Sequence, residues 1–170
     1  MTTYHHGDLR AVLLAAAAKI IEKEGLAGLS EREAARRAGV SHNAPYRHFP
    51  DRDALLAALA ANSFELLRRA TQDQSGRELG VAYVRFALEH PGRFRLMFGA
   101  RLPVDHHREL RLRVEEVFAG LGADAEIAAA AAWSLVHGLA RLLLDGHLEG
   151  DEAFVRKVLG AVRFAVQRSA

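Results

Sequence analysis

Ser41, His42 and Asn43 follow a glycine-containing turn, and Tyr46 and His48 come shortly after them. All are hydrogen-bonding side chains, and none is set beside a partner that would make it a nucleophile or a general base. Serine donates or accepts. An asparagine amide can bond a base edge at two points, the pairing that suits adenine. Ser30, Tyr46, His48 and Arg52 carry donors suited to phosphate oxygens, and Arg36, Arg37 and Arg47 add local positive charge. The chemistry this set can do is groove and backbone recognition of a nucleic acid. The same polar residues would also serve as a solvated face, and Glu31, Glu33 and Asp51 interrupt the positive charge.

Other chemistry finds little support in the sequence. It has no cysteine, which excludes disulfides and thiolate metal sites. It contains no Gly-rich phosphate loop, no H-E-x-x-H run and no nucleophile–base pair. The neighbours His106 and His107 point in different directions on a helix, where metal pairs need a spacing of three or four, and His5 and His6 are equally weak. The expectation is a protein that is not an enzyme and holds no metal or cofactor.

The elements that must position these residues are helical. In 170 residues half are hydrophobic, with alanine and leucine dominant and four prolines. Net charge is +2, so a nucleic-acid reading rests on local placement rather than on the sum. Leu9, Val12, Leu13, Ala16, Ala17, Ile20 and Ile21 recur at helical spacing and predict a helix over 8–24. "SERE" at Ser30 reads as a capping box opening a helix over 30–38, in which Glu33 reaches back to the cap, and Gly39 ends it. Ser41 or His42 caps a third helix of about two turns, closed by Phe49-Pro50. Pro45 then falls in its first turn, where a missing donor costs least, and its ring offers an apolar face to a thymine methyl. Asp51 opens a fourth helix over 52–70. Further helices are expected over 77–89, 93–98, 105–121, 125–144 and 151–168, with no sheet.

A short helix, a glycine turn and a second short helix form a helix-turn-helix unit. "LSEREAARRAGVSHNAPYRHFPDRDALLAAL", Leu29 to Leu59, resembles the DNA-binding domain of the TetR family of transcriptional regulators in its capped helix with paired alanines, its "AGVS" turn and its "Y-R-H-F" ending. The "YHHGDLR" start is similar to one branch of that family. "WSLVHGLARLLLDG", Trp133 to Gly146, resembles the W-x-x-x-H-G signature of one TetR C-terminal domain type. The resemblance implies an all-α fold of about nine helices. Residues 1–52 would be the DNA-binding domain, 52–70 a connecting helix, and 71–170 a ligand-binding and dimerisation domain.

It further implies a homodimer on a palindromic or near-palindromic double-stranded DNA operator. The long fourth helix and the helical second half add the expectation of a cytoplasmic repressor released by a small apolar effector, with no membrane partner. By matching position, Ser30, Ser41, His42, Asn43, Tyr46 and Arg52 are expected at the DNA, and Arg36, Pro45 and His48 join them on the chemistry of their side chains. The family usually has lysine where this chain has Arg52. A dimeric protein-binding module or cofactor carrier that has lost DNA binding is the alternative.

In the second half, Phe86, His90, Phe94, Met97, Phe98, Trp133 and His137 could line an effector pocket, and the same residues would fill an ordinary core. Gly138 is expected to admit a neighbouring helix. The stretch from Ile127 to Leu144 is apolar nearly all round and marginal in length for a membrane span, so a buried or interface helix is the better reading. With the stripe on the last helix, it places Leu135, Leu139, Leu142, Phe154, Val158, Leu159, Val162 and Val166 at a four-helix dimer interface. The first ten residues lack a charged-then-apolar design, so no secretory leader is expected.

Overall fold

The computed structural model describes residues 9–99 and 124–162, with 108, 112, 114–116, 118 and 119 between them. Seven α-helices are bounded within these: α1 (Leu9–Glu24), α2 (Glu31–Ala38), α3 (Arg52–Thr71), α4 (Gly76–Glu89), α5 (Pro91–Gly99), α6 (Ala125–Leu144) and α7 (Glu152–Ala161). Short 3-10 turns lie at Leu26–Gly28 and Pro45–Arg47. No strand occurs among the described residues. Most of the helix expected over 105–121, the last residues of the one expected over 151–168, and Val166 lie outside them.

The chain divides into two compact units. One comprises 1–63 with 90–104, the other 64–89 with 105–170. The division departs from a break at residue 52 or 71. It falls inside α3, and α5 belongs to the first unit rather than the second.

The first unit is built on α1, whose Leu13, Ala17, Ile20 and Ile21 are buried on the face its spacing requires. They pack with Leu29, Ala34, Phe49, Leu55, Leu59 and Leu96. The docking of α5 explains its assignment. Gly92 lies against the α1 backbone, where a Cβ would come 2.6 Å from the Ile21 carbonyl carbon and 2.8 Å from the Glu22 nitrogen. The Glu22 carboxylate accepts from the amides of Gly92 (2.7 Å) and Arg93 (3.1 Å), groups that a helix start leaves without internal partners. Arg93 also donates to Asn62 Oδ1 (2.9 Å) and Ser63 Oγ (3.1 Å) on α3.

The second unit packs α4 against α6 and α7. Val81, Val84 and Phe86 of α4, Ala128, Leu139 and Ala140 of α6, and Val155 of α7 are buried. Asp151 caps α7, accepting from the Phe154 amide at 2.9 Å. The close approach expected at Gly138 occurs instead at Gly80. Among the described residues a Cβ on Gly138 would meet nothing within 4 Å, whereas one on Gly80 would stand 3.0 Å from Leu159 and 3.1 Å from Val136. By length and composition α6 could cross a membrane, with 22% of its most apolar window buried.

The tight seat of Gly92 yields a stability prediction. Gly92→Ala should push α5 off α1 and lower unfolding free energy by about 1–3 kcal/mol. Urea denaturation checks this, and an unchanged midpoint would show that the backbone yields freely there.

Candidate functional site

The polar segment hangs between two fixed ends. At the first, Ser30 caps α2, its Oγ accepting from the Glu33 amide at 3.2 Å. Only half of the capping box forms. The Glu33 carboxylate turns instead to the guanidinium groups one turn ahead, at 2.6 and 2.8 Å from Arg36 and 2.8 Å from Arg37. Charged partners at this spacing outcompete a neutral amide. They hold the Glu33 carboxyl at about 2, well below its ordinary value. Arg37 is also paired with Glu24. Gly39 then takes the left-handed conformation (φ 69°), while the amides of Gly39 and Val40 close on the carbonyls of Arg36 and Ala35.

Beyond that turn the structure corrects the expected third helix. Ser41 to Ala44 is a turn closed by the Ala44 amide on the Ser41 carbonyl (3.0 Å), and only Pro45–Arg47 is helical, as a 3-10 turn. An α-helix starting at Ser41 would need residue 45 to donate to the Ser41 carbonyl, and proline has no N–H. The following amides close over shorter range, His48 on the Pro45 carbonyl at 2.9 Å, with Phe49 on the same oxygen at 2.8 Å.

Pro45 is buried, so its ring packs inside the unit rather than facing a thymine methyl. Phe49 is 1% exposed and anchors the other end in the core. Asp51 caps α3 through the Ala54 amide at 2.7 Å.

Between these anchors Ser41, His42, Asn43, Tyr46, Arg47 and His48 are all exposed. Among the described residues, the side chains of His42, Asn43, Tyr46 and Arg47 have no hydrogen-bond partner. Arg36 is exposed nearby but held by Glu33. Arg52 is also committed. Its Nε donates to the Leu29 carbonyl (3.1 Å) and a terminal nitrogen to the Leu26 carbonyl (2.8 Å), clamping the 3-10 turn that precedes α2. Arg47, which joined the sequence reading only as local charge, is brought into the exposed set.

The second unit contains a cavity of about 290 Å³. Of the residues expected to line a pocket only Trp133 does so. Phe94 and Met97 are fully buried in the first unit, where the Phe94 ring meets that of the half-buried Phe98 at 4.8 Å, tilted by 52°, and His90 belongs to that unit too. Phe86 is buried core of the second unit. His137 sits behind the wall, its Nδ1 2.9 Å from the Tyr83 hydroxyl, which also accepts from Trp133 Nε1 at 3.3 Å. Burial raises the Tyr83 phenol above its ordinary range, and the Trp133 bond opposes this.

Sequence reasoning missed Arg77, Gly80 and Tyr83, although their spacing of three places them on one face of α4. Leu135, Leu159 and Val162, expected at a dimer interface, line the cavity. Leu139 is spent on the unit's own core, Phe154 and Val158 are half-buried, and Leu142 is 43% exposed. Among the described residues no group of acidic or histidine side chains could hold a metal.

Comparison with known proteins agrees with this architecture. Residues 13–59 match the model for bacterial regulatory proteins of the tetR family, and residues 76–162 that for the tetracyclin repressor-like C-terminal domain. The nucleoid occlusion factor SlmA of Aliivibrio fischeri is 29% identical over 128 residues, 69% of this chain. The match spans 65% of that relative's length, less than two thirds. Among solved structures, a protein of unknown function from Rhodococcus sp. RHA1 is 37% identical, with a TM-score of 0.77 over 95% of this chain and 94% of its own. A TetR variant from Acinetobacter baumannii, solved with minocycline, shares the fold at 18% identity, with a TM-score of 0.61 over 89% of this chain and 94% of its own. An exposed polar segment on a helix-turn-helix scaffold, followed by a helical unit with a cavity, is thus joined to family matches along most of the chain, which belongs to the TetR family of DNA-binding transcriptional regulators, a family of regulators rather than enzymes.

Proposed function

We propose that this regulator is a cytoplasmic homodimeric repressor that sits on a palindromic operator and leaves it when a small molecule fills the cavity of the second unit. The observation that carries the reading is the exposure of Ser41–Asn43 and Tyr46–His48, with His42, Asn43, Tyr46 and Arg47 unengaged among the described residues. Such donors are costly to leave idle in a core and useful at a groove. Asn43 is the base reader, and Tyr46, Arg47 and His48 are backbone contacts. Ser30 and Arg36 flank them, and Arg52 supports the scaffold from behind with donors to spare.

Dimerisation is supported by apolar side chains left outward on the second unit, Ile127 (71% exposed) and Leu142 (43%). Such exposure on helices of this composition favours an isologous partner. The switch is supported by the continuity of α3, which holds Arg52 at one end and Thr71, a wall of the cavity, at the other. A ligand that binds one arrangement of this helix more tightly than another shifts the population toward it.

Selection of bound sequences from random DNA tests the reading. An inverted repeat with half-sites about one helical turn apart is expected. Asn43→Ala should lose about 1–3 kcal/mol of discrimination at one position of each half-site while keeping its melting temperature. No enrichment of any sequence, with no binding even at low salt, would sink both the operator and the reader.

A second expectation concerns Glu33, which neutralises Arg36 and Arg37. Glu33→Gln should release Arg36 and leave Arg37 held by Glu24 alone, tighten binding to generic DNA and steepen its decline with salt by about one phosphate contact. Titrating a duplex of unrelated sequence at several salt concentrations reads this directly, and an unchanged slope would place Arg36 away from the DNA.

A further inference from the structure

The cavity has a single charged wall among its described residues, Arg77. Its guanidinium lies over Gly160, where a Cβ would stand 3.3 Å from the Arg77 Cζ, so the missing side chain gives it room along α7. The other arginines of that surface are committed. Arg85 pairs with Glu152, and Arg156 with Glu78 and Glu152. Both carboxylates are therefore taken, and their pKa values are lowered by those hydrogen bonds. Arg77 has no hydrogen bond or ion pair among the described residues.

The remaining polar groups of the wall already have partners. The Thr71 hydroxyl donates along its own helix toward the Leu67 carbonyl (2.9 Å) and lies 3.2 Å from that of Arg68. The Tyr83 hydroxyl is engaged with Trp133 and His137. Leu79, Phe118, Leu135 and Val136 make most of the rest apolar. Among its described residues the cavity thus combines an apolar interior with one cation at its edge, whose guanidinium makes no hydrogen bond. Arg77 and Tyr83 are six residues apart on α4, about 9 Å along the axis. A guanidinium binds carboxylate oxygens through two parallel bonds, and a pocket of this kind fixes orientation with few polar groups.

We propose that the effector of this regulator is an amphipathic monoanion, a carboxylate on an apolar chain or ring system, with its head on Arg77 and its body running past Gly80 toward Tyr83 and Trp133. The proposal rests on the reading of this cavity as the effector site.

Trp133 is the sole tryptophan of the chain and lines the cavity, so its emission reports occupancy. The full-length protein is titrated with decanoate, decanol and decylamine below their aggregation limits. Decanoate should change the emission saturably, with a Kd at least tenfold below that of decanol, and decylamine should bind most weakly. Arg77→Gln should bring decanoate to the Kd of decanol and leave decanol unchanged, whereas Arg85→Gln should keep the preference. Equal binding of acid and alcohol, or an acid preference that survives Arg77→Gln, overturns the anionic head while leaving the effector cavity standing. Emission unmoved by all three probes removes the cavity reading and the proposal together.

Discussion

The exposed polar segment depends on two rings that are buried. Pro45 is buried where the chain turns, and Phe49 is 1% exposed in the core formed by α1 and α3. Full burial of a phenyl ring contributes about 1.5–3 kcal/mol, and here the Arg10 guanidinium also stands 5.5 Å over its face. With both ends fixed, the residues between have little choice of direction. Tyr46, Arg47 and His48 must leave the core within one short 3-10 turn, and all three are exposed. The two rings therefore set the register in which polar side chains meet a partner, a task an α-helix would perform by its own periodicity.

Charge is arranged on the same economy. The chain carries 23 basic and 21 acidic residues, and most of the arginines near the reading segment are answered locally. Glu33 holds Arg36 and Arg37, Glu24 holds Arg37, and two backbone carbonyls hold Arg52. Arg47 is the exposed exception in the segment itself. Such pairs are modest in stability terms because they are solvent-exposed. Their larger effect is on the field that a polyanion would meet, since a paired arginine presents a dipole rather than a charge. On the proposed reading, recognition then falls to neutral hydrogen-bonding groups, the type concentrated at Ser41, His42, Asn43 and Tyr46.

What was legible in the sequence was local. Ser30 and Gly39 announce the ends of α2 because capping and left-handed geometry act over a few residues. The apolar spacing of α1 announces its buried face for the same reason. The third helix failed because one lost bond at Pro45 leaves only a few residues before Phe49-Pro50, too few to pay the cost of a fresh helical nucleus. The role of Arg52 was hidden because its acceptors lie 23 and 26 residues back in the chain. Phe94 and Met97 resembled pocket residues because a cavity wall and a core draw on the same side chains. Only the seat of Gly92 on α1 decides between the two, and that contact spans some seventy residues.

The W-x-x-x-H-G signature acquires a physical sense from the same kind of long-range pairing. Trp133 and His137 are one turn apart on α6, and both address the hydroxyl of Tyr83 on α4. That residue is 4% exposed, and a buried hydroxyl without partners would cost about 1–3 kcal/mol. The indole donates to it, and a neutral imidazole can accept its proton at Nδ1, so the two ring types satisfy complementary halves of one group. Gly80 stands one turn before Tyr83 on the side where Val136 and Leu159 approach α4. The pair that satisfies the tyrosine and the glycine that admits its neighbours thus act on one seam between α4 and α6. The cavity lies along that seam, closed at the tyrosine by hydrogen bonds and bordered at Arg77 by a guanidinium that makes no hydrogen bond among the described residues.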